Sequence, residues 1–432
     1  MFAQKGTSPL AILEGFRNQD IDLLAYIDQL EAHFKSVEPQ VLAFVPEEGR
    51  FDRLRQDAED MLSQYPDPKE YPPLFGLIVG VKDIFHADVF TTYAGSHLPP
   101  EAIQGNEAEV VTQVKQLGAL VLGKTVTTEF AYFAPGPTRN PHNPEHTPGG
   151  SSSGSAAAVA AGLVSLAFGT QTIGSISRPA SFCGVVGFKP SFDRLSKEGV
   201  IPLSQSLDHV GIFTPDVATV RLFAENILPG YNLENRPTEK PVLAVPEGPY
   251  LHKASPEMRS HFSGLVDKLA QRGYQIKHIQ VMPDIEEIIE RHNLITAAEA
   301  AISHAEWYQK YANDYHRKTR ELIERGQQFT PAQLEEARAG RARLRDQLMV
   351  TMFAEGIDLW ISPSAPGPAP KGIESTGDPV MNLPWTHSGL PTLSLPAGID
   401  KQGLPLGLQV AGAWYGDEIL IEYGSQLLKA IP

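Results

Sequence analysis

Residues Pro148 to Pro179 read PGGSSSGSAAAVAAGLVSLAFGTQTIGSISRP, and this stretch decides the fold. Its opening Gly/Ser run is a loop until about Ser155, because these residues favour turns and local side-chain bonds over helix. From Ala156 to Leu166 the density of Ala, Val and Leu predicts a buried helix, whose small side chains let its neighbours approach closely. A second loop opens at Gly169, and another helix is expected to begin near Ile176 with Ser175 available as its cap.

Upstream, Pro137, Pro141, Pro144 and Pro148 keep residues 136 to 155 irregular. Before them, short apolar runs at Gly76 to Val81 and Ala119 to Gly123 flank a helical pattern at Val110 to Leu117. This alternation of strand and helix argues for an α/β sheet. The first seventy residues look helical: Leu23, Leu24, Ile27, Leu30 and Phe34 recur at spacings of three and four, and Phe51 to Tyr65 repeats the pattern. Downstream, Pro256 to Glu355 is rich in Glu, Arg, Gln, Ala and Leu, so several long helices are expected there, with the charges of Arg317 to Arg345 on a solvated face. Leu359 to Pro363 and Thr392 to Leu395 return the chain to the sheet. With no internal repeat and no low-complexity linker, one domain over 1–432 is expected: a helical layer to about 70, a core at about 71–225, a helical excursion at about 256–355 and a return to the sheet at about 356–432.

Composition narrows the function. A chain of 432 residues with 42% hydrophobic content has the means to bury a large core. Its 51 acidic against 36 basic residues give a net charge of −15, which repels nucleic-acid phosphates and anionic lipid. The single cysteine, Cys183, permits no internal disulfide and no multi-thiolate metal site. The N-terminus, Met1 to Gly6, meets only a four-residue apolar run at Leu10 to Leu13, and Ala156 to Gly169 is too short to span a bilayer. A cytoplasmic address is expected.

Three segments carry chemistry: Gly80-Val-Lys82-Asp-Ile-Phe85, Pro148 to Ser155, and Gly169 to Pro179. Taken singly, each has an ordinary reading, as a solvated lysine, a flexible linker and a helix cap. A serine hydroxyl is a weak nucleophile until a base removes its proton, and lysine is such a base where burial disfavours its ammonium form. Lys82 ends an apolar strand, where that burial is expected.

Read as one pattern, Gly149-Gly150-Ser151-Ser152-Ser153-Gly154, the Ala-rich run to Gly162, Gly169 to Pro179, and Phe182-Cys183-Gly184-Val-Val-Gly187-Phe-Lys189-Pro190 resemble the amidase-signature family. The likeness extends to Gly76 to Phe85, Gly136 to Pro141, Ser206 to Gly211 and Gly403 to Gln409; only about 230–350 lacks it. The resemblance implies an α/β fold with a large mixed β-sheet flanked by helices, and an active site in loops at one edge. It implies Lys82 as base, Ser151 as proton shuttle and Ser175 as nucleophile, with a cis peptide between Gly150 and Ser151. The backbone N–H groups of Thr172, Ile173, Gly174 and Ser175 would form the oxyanion hole. Two departures stand out. Ile173 replaces a glycine common in the family, so its side chain must avoid the oxyanion or narrow the pocket. Gln171 and Ser177 replace an acid and an arginine, with Arg178, one position later, as a substitute brace.

The activity implied is hydrolysis of a carbon–nitrogen amide bond of a small substrate through an acyl-enzyme, with no cofactor and no metal. Pocket candidates are Ala131, Tyr132, Phe133 and Ser152 near the serines, and Asp378, Asn382 and Trp385 from a late segment. The aromatic ones favour an aryl or alkyl amide; ureides, carbamates and esters share the chemistry. The partners expected are a small-molecule amide and, compatibly, a second copy in a homodimer, with no nucleic acid and no membrane.

Rival readings fail on particular residues. Gly150-Ser-Ser152-Ser-Gly154 fits a Gly-x-Ser-x-Gly elbow, but the preceding Asn143 to Pro148 cannot be the strand that elbow requires. No serine has a lysine three residues on, and no His-Glu-x-x-His occurs. His142 and His146 read as loop braces, and Cys183 as a packed residue. Within the resemblance, an ammonia-producing amidase subunit of a tRNA-dependent amidotransferase is the main alternative. Against it, only Tyr132-Phe-Ala-Pro135 separates Glu129-Phe-Ala131 from Gly136, where such subunits carry a longer polar stretch. A catalytically inactive binding protein on the same fold is the other alternative, and it would be expected to have lost one of the three catalytic residues.

Overall fold

A computed structural model of the chain describes residues 8–234 and 236–431. The expected N-terminal layer therefore begins at Ser8, and the Met1 to Gly6 stretch lies outside the described residues. Ten strands form one mixed sheet: β1 (Ile78–Lys82), β2 (Leu120–Thr125), β3 (Leu166–Gln171), β4 (Val186–Lys189), β5 (His209–Thr214), β6 (Leu243–Glu247), β7 (Ile276–Gln280), β8 (Leu359–Pro363), β9 (Thr392–Ile399) and β10 (Pro405–Ala411). Their order is β2-β1-β3-β5-β4-β9-β10-β8-β6-β7. Both ends of the sheet are parallel and the middle, from β3 to β8, is antiparallel. The α/β class and the helix-flanked mixed sheet stand as the sequence implied.

Why the edges do not invite further pairing is visible in the side chains. At β2, Arg53 donates to the carbonyls of Val121 and Leu122 at 3.0 Å each, and Arg50 reaches Leu122 O at 3.2 Å. Both arginines come from the helix Arg50–Gln64, so that edge is capped by guanidinium groups. At the far edge, β7 exposes His278 and Gln280, and polar side chains there oppose edge-to-edge contact.

The helices follow their sequence signals in most places. Asp22 caps Leu23–Val41 by accepting from Ala25 N, and Ser255 with Pro256 starts Pro256–Gln271. Thr330 and Gln333 form a capping box on the 25-residue helix Pro331–Glu355. The central helix is shorter than expected. It runs from Ser153 to Ala160, and Gly162, at φ +68°, turns the chain so that Leu166 starts a strand instead of ending a helix. The loop expected from Gly169 is instead the second half of β3, buried throughout. Likewise β7 interrupts the helical excursion. Among the described residues no helix is long and apolar enough to cross a membrane.

Candidate active site

Lys82 ends β1, and Thr170 stands near the end of its parallel neighbour β3. The carboxyl ends of adjacent parallel strands are where α/β sheets gather functional groups. Lys82 is completely buried, with its amine 2.7 Å from Thr170 Oγ1 and 2.8 Å from Ser151 Oγ. Burial holds the amine well below the ordinary lysine range, opposed only by the field of Asp208. A lysine amine kept neutral has a lone pair available to accept a proton, and the Ser151 hydroxyl stands against it.

Ser151 follows a cis peptide from Gly150. The Gly150 carbonyl is held by Arg178 Nη2 at 2.6 Å, and the same guanidinium donates to Thr376 Oγ1 at 3.1 Å and Gly377 O at 3.0 Å. Arg178 is thus a brace through neutral acceptors. Burial lowers its pKa to about 9, against the field of Asp378.

Four contacts fix the loop from Thr172 to Ser175. The Thr172 hydroxyl donates to Asp208 at 2.5 Å, and Thr386 Oγ1 donates to Ile173 O at 2.7 Å. Gln171 Oε1 accepts from the N–H groups of Ile176 and Ser177 at 2.8 and 2.9 Å, so the glutamine ties the loop to the helix that follows without an ionic charge. At Gly174 an added Cβ would sit 2.4 Å from Asn382 Oδ1, a close approach only glycine permits. The result is a turn held from several sides, with its N–H groups fixed by the surrounding contacts.

Ser151, Ser175, Thr172 and Ile173 line one narrow cavity together with Ala131, Tyr132 and Phe133. Arg178, Leu203 and Pro379 complete it. No hydrogen bond joins the Ser151 and Ser175 hydroxyls among the described residues; such contacts often tighten only with substrate bound. Ile173 lines the cavity and narrows it. Phe130 and Ala131, at φ +46° and +61°, approach it on a left-handed backbone that non-glycine residues rarely adopt. The helical excursion holds that backbone. Glu129 accepts from His316 N at 2.9 Å and from the Thr319 hydroxyl, and Phe130 packs against His304 and Tyr315 with ring centres 4.7 and 5.2 Å away.

The other pocket candidates lie elsewhere. Ser152 is buried and its hydroxyl bonds both backbone groups of Thr170, at 3.2 and 3.3 Å. Trp385 is a core residue whose Nε1 donates to Tyr250 Oη at 2.8 Å. Asn382 stands behind Gly174, donating to Ser364 O and Gln409 Oε1 at 2.8 Å each. Asp378 closes a turn onto Val380 N at 2.9 Å. The rings of His142 and His146 meet the carbonyls of Cys183 and Ala369 at 2.9 and 2.8 Å, bracing their loop. The sequence alone does not single out Thr170, Leu203, Pro379 or Asp208. Asp208 sits inside the quoted Ser206 to Gly211 motif, but its bond to Thr172 is a tertiary fact.

Comparison with known proteins bears on the family and the fold. A family model described as Amidase matches residues 24–421. The chain is 32% identical over 412 residues to a glutamyl-tRNA(Gln) amidotransferase subunit of Koribacter versatilis (strain Ellin345), covering 84% of this chain and 86% of that one. It is 30% identical to the corresponding subunit from Geobacter metallireducens, covering 90% of each. A crystal structure of an amidase superposes with a TM-score of 0.89 at 30% identity, covering 99% of this chain and 100% of the other.

Proposed function

This chain belongs to the amidase family, and from that premise we propose that it hydrolyses a carbon–nitrogen amide bond of a small substrate through Ser175, Ser151 and Lys82. The observation that carries the reading is a fully desolvated lysine amine 2.8 Å from Ser151 Oγ, with Ser151 and Ser175 lining one cavity. Ser175 Oγ attacks the carbonyl carbon as its proton passes to Ser151 and the Ser151 proton passes to Lys82. The carbonyl electron pair moves onto oxygen, facing the N–H groups of the Thr172 to Ser175 turn. On collapse the C–N bond breaks, and the amine leaves with a proton from Ser151 that the Lys82 ammonium replaces. Water then hydrolyses the acyl-Ser175 ester by the same route. The domain reading, one unit over 1–432, is supported by strands from before and after the helical excursion sharing one sheet.

A second reading, the ammonia-producing subunit of a tRNA-dependent amidotransferase, draws more support from the relatives, since the Koribacter and Geobacter proteins both carry that enzyme's name. The chemistry up to the acyl-enzyme is the same; the substrate is then glutamine and the ammonia is passed on. The first reading rests on the short segment Tyr132 to Pro135, of which Tyr132 and Phe133 give the cavity an aromatic wall. Ammonia release from a panel of aryl and alkyl amides and from glutamine decides. Turnover of an aryl or alkyl amide by the isolated chain at a rate above that for glutamine is expected; turnover of glutamine alone would replace the first reading by the second.

Ile173 makes a further prediction. Removing its side chain opens the cavity beside Ser175, so Ile173→Ala is expected to raise kcat/KM for a branched acyl amide over acetamide by about tenfold, the usual worth of a few methylenes of pocket space. The ratio measured in both proteins checks it.

A further inference from the structure

Tyr132 and Phe133, which line the candidate catalytic cavity, also line a second space, here called the vestibule, whose opposite wall is the helix Arg317–Gly326. Thr376, which packs on Gly150 beside Ser151, also lines it. Lys318 and Arg325 face this space, seven residues apart and so on one side of the helix, separated by about 10 Å of rise. Their bonds run to backbone carbonyls: Lys318 Nζ donates to Phe133 O at 2.9 Å and Arg325 Nη2 to Asn293 O at 3.2 Å. Among the described residues neither forms a salt bridge with a carboxylate. The one acid on the same wall, Glu321, is engaged by Arg317 at 3.2 Å.

In a chain of net charge −15, two cations not ion-paired to a carboxylate, set against one acid that Arg317 engages, leave positive potential beside the candidate active site. We propose that the vestibule is a carboxylate subsite, and that the amides this chain cleaves carry a carboxylate remote from the scissile bond. This rests on the reading of Ser175 as nucleophile and names the substrate class for it. Both cations retain N–H donors for charge-assisted hydrogen bonds, while Tyr132 and Phe133 flank the methylene or aryl spacer between carboxylate and amide.

The test uses two alkyl fluorophosphonates, one ending its six-carbon chain in a carboxylate and the other in the methyl ester of that carboxylate. In each, Ser175 Oγ displaces fluoride from phosphorus. The second-order labelling rate of the wild type is expected to favour the carboxylate by about tenfold, with the preference shrinking in high salt. In Lys318→Gln with Arg325→Gln the ratio is expected to fall to about one, and Arg325→Gln alone, which leaves the Phe133 contact intact, to an intermediate value. Equal rates for the two probes in the wild type, or a ratio unmoved by the substitutions, would overturn the subsite while leaving Ser175 in place. Labelling by neither probe would overturn the nucleophile, and the subsite with it.

Discussion

Ser175→Ala is expected to lose about four orders of magnitude or more in kcat and all fluorophosphonate labelling, with the fold unchanged. The size of the loss follows from removing the attacking atom itself, since the remaining turn and shuttle catalyse weakly without it. That the fold survives follows from the contacts. The Thr172 to Ser175 turn is held by Asp208, Thr386, Gln171 and the packing of Asn382 on Gly174, and no hydrogen bond from the Ser175 hydroxyl contributes among the described residues. Thermal unfolding of the variant should therefore match the wild type within about 1 kcal/mol. The same experiment separates Ser175 from Ser152. Ser152 is the serine of the Gly-x-Ser-x-Gly pattern, but its hydroxyl is tied to Thr170 and fully buried. Undiminished labelling in Ser175→Ala would mean that another serine attacks.

Much of the candidate site is legible in the residues because it uses local signals. The Gly/Ser run, the alanine helix and the second loop lie within 32 consecutive residues, Pro148 to Pro179, and their order alone sets two serines in loops. Lys82 is legible as the end of an apolar strand. The second half of β3 is not, and the reason is chemical. It carries Gly169, Thr170 and Gln171, which read as loop because two of them do polar work: Thr170 meets Lys82, and Gln171 ties down the turn that follows. A central strand that serves a site departs from the apolar pattern by which strands are found. Trp385 illustrates the converse, an aromatic residue in a segment that supplies pocket candidates, which spends its ring on Trp360 and Tyr250 in the core. The charges of Arg317 to Arg345 read as a solvated face, and only the docking of the excursion through Glu129 brings Lys318 and Arg325 to the vestibule. Nothing local in the sequence encodes that meeting.

Replacing Lys82 by methionine is expected to cost about three orders of magnitude or more in kcat/KM while leaving the protein as stable or more so. Catalysis requires the free amine, because the ammonium has no lone pair to receive the Ser151 proton. The wild-type rate should therefore fall as pH falls through the Lys82 pKa and reach its plateau at higher pH. Burial depresses that pKa, so the plateau is expected well short of the ordinary lysine range near 10.5. Asp208 opposes the depression, and Asp208→Asn should move the acid limb to still lower pH as well as loosening Thr172. The stability argument has the same origin. A lysine kept neutral when folded and charged when unfolded disfavours folding below its unfolded pKa, and stability rises with pH between the depressed and the ordinary values. Methionine fills the site without that cost, so a gain of about 1 kcal/mol in unfolding free energy near neutral pH is expected, beside the loss of activity. Should Lys82→Met keep its rate, or should the wild-type acid limb appear unchanged in it, the proton leaves Ser151 by another route and the lysine serves only to pack β1 against β3.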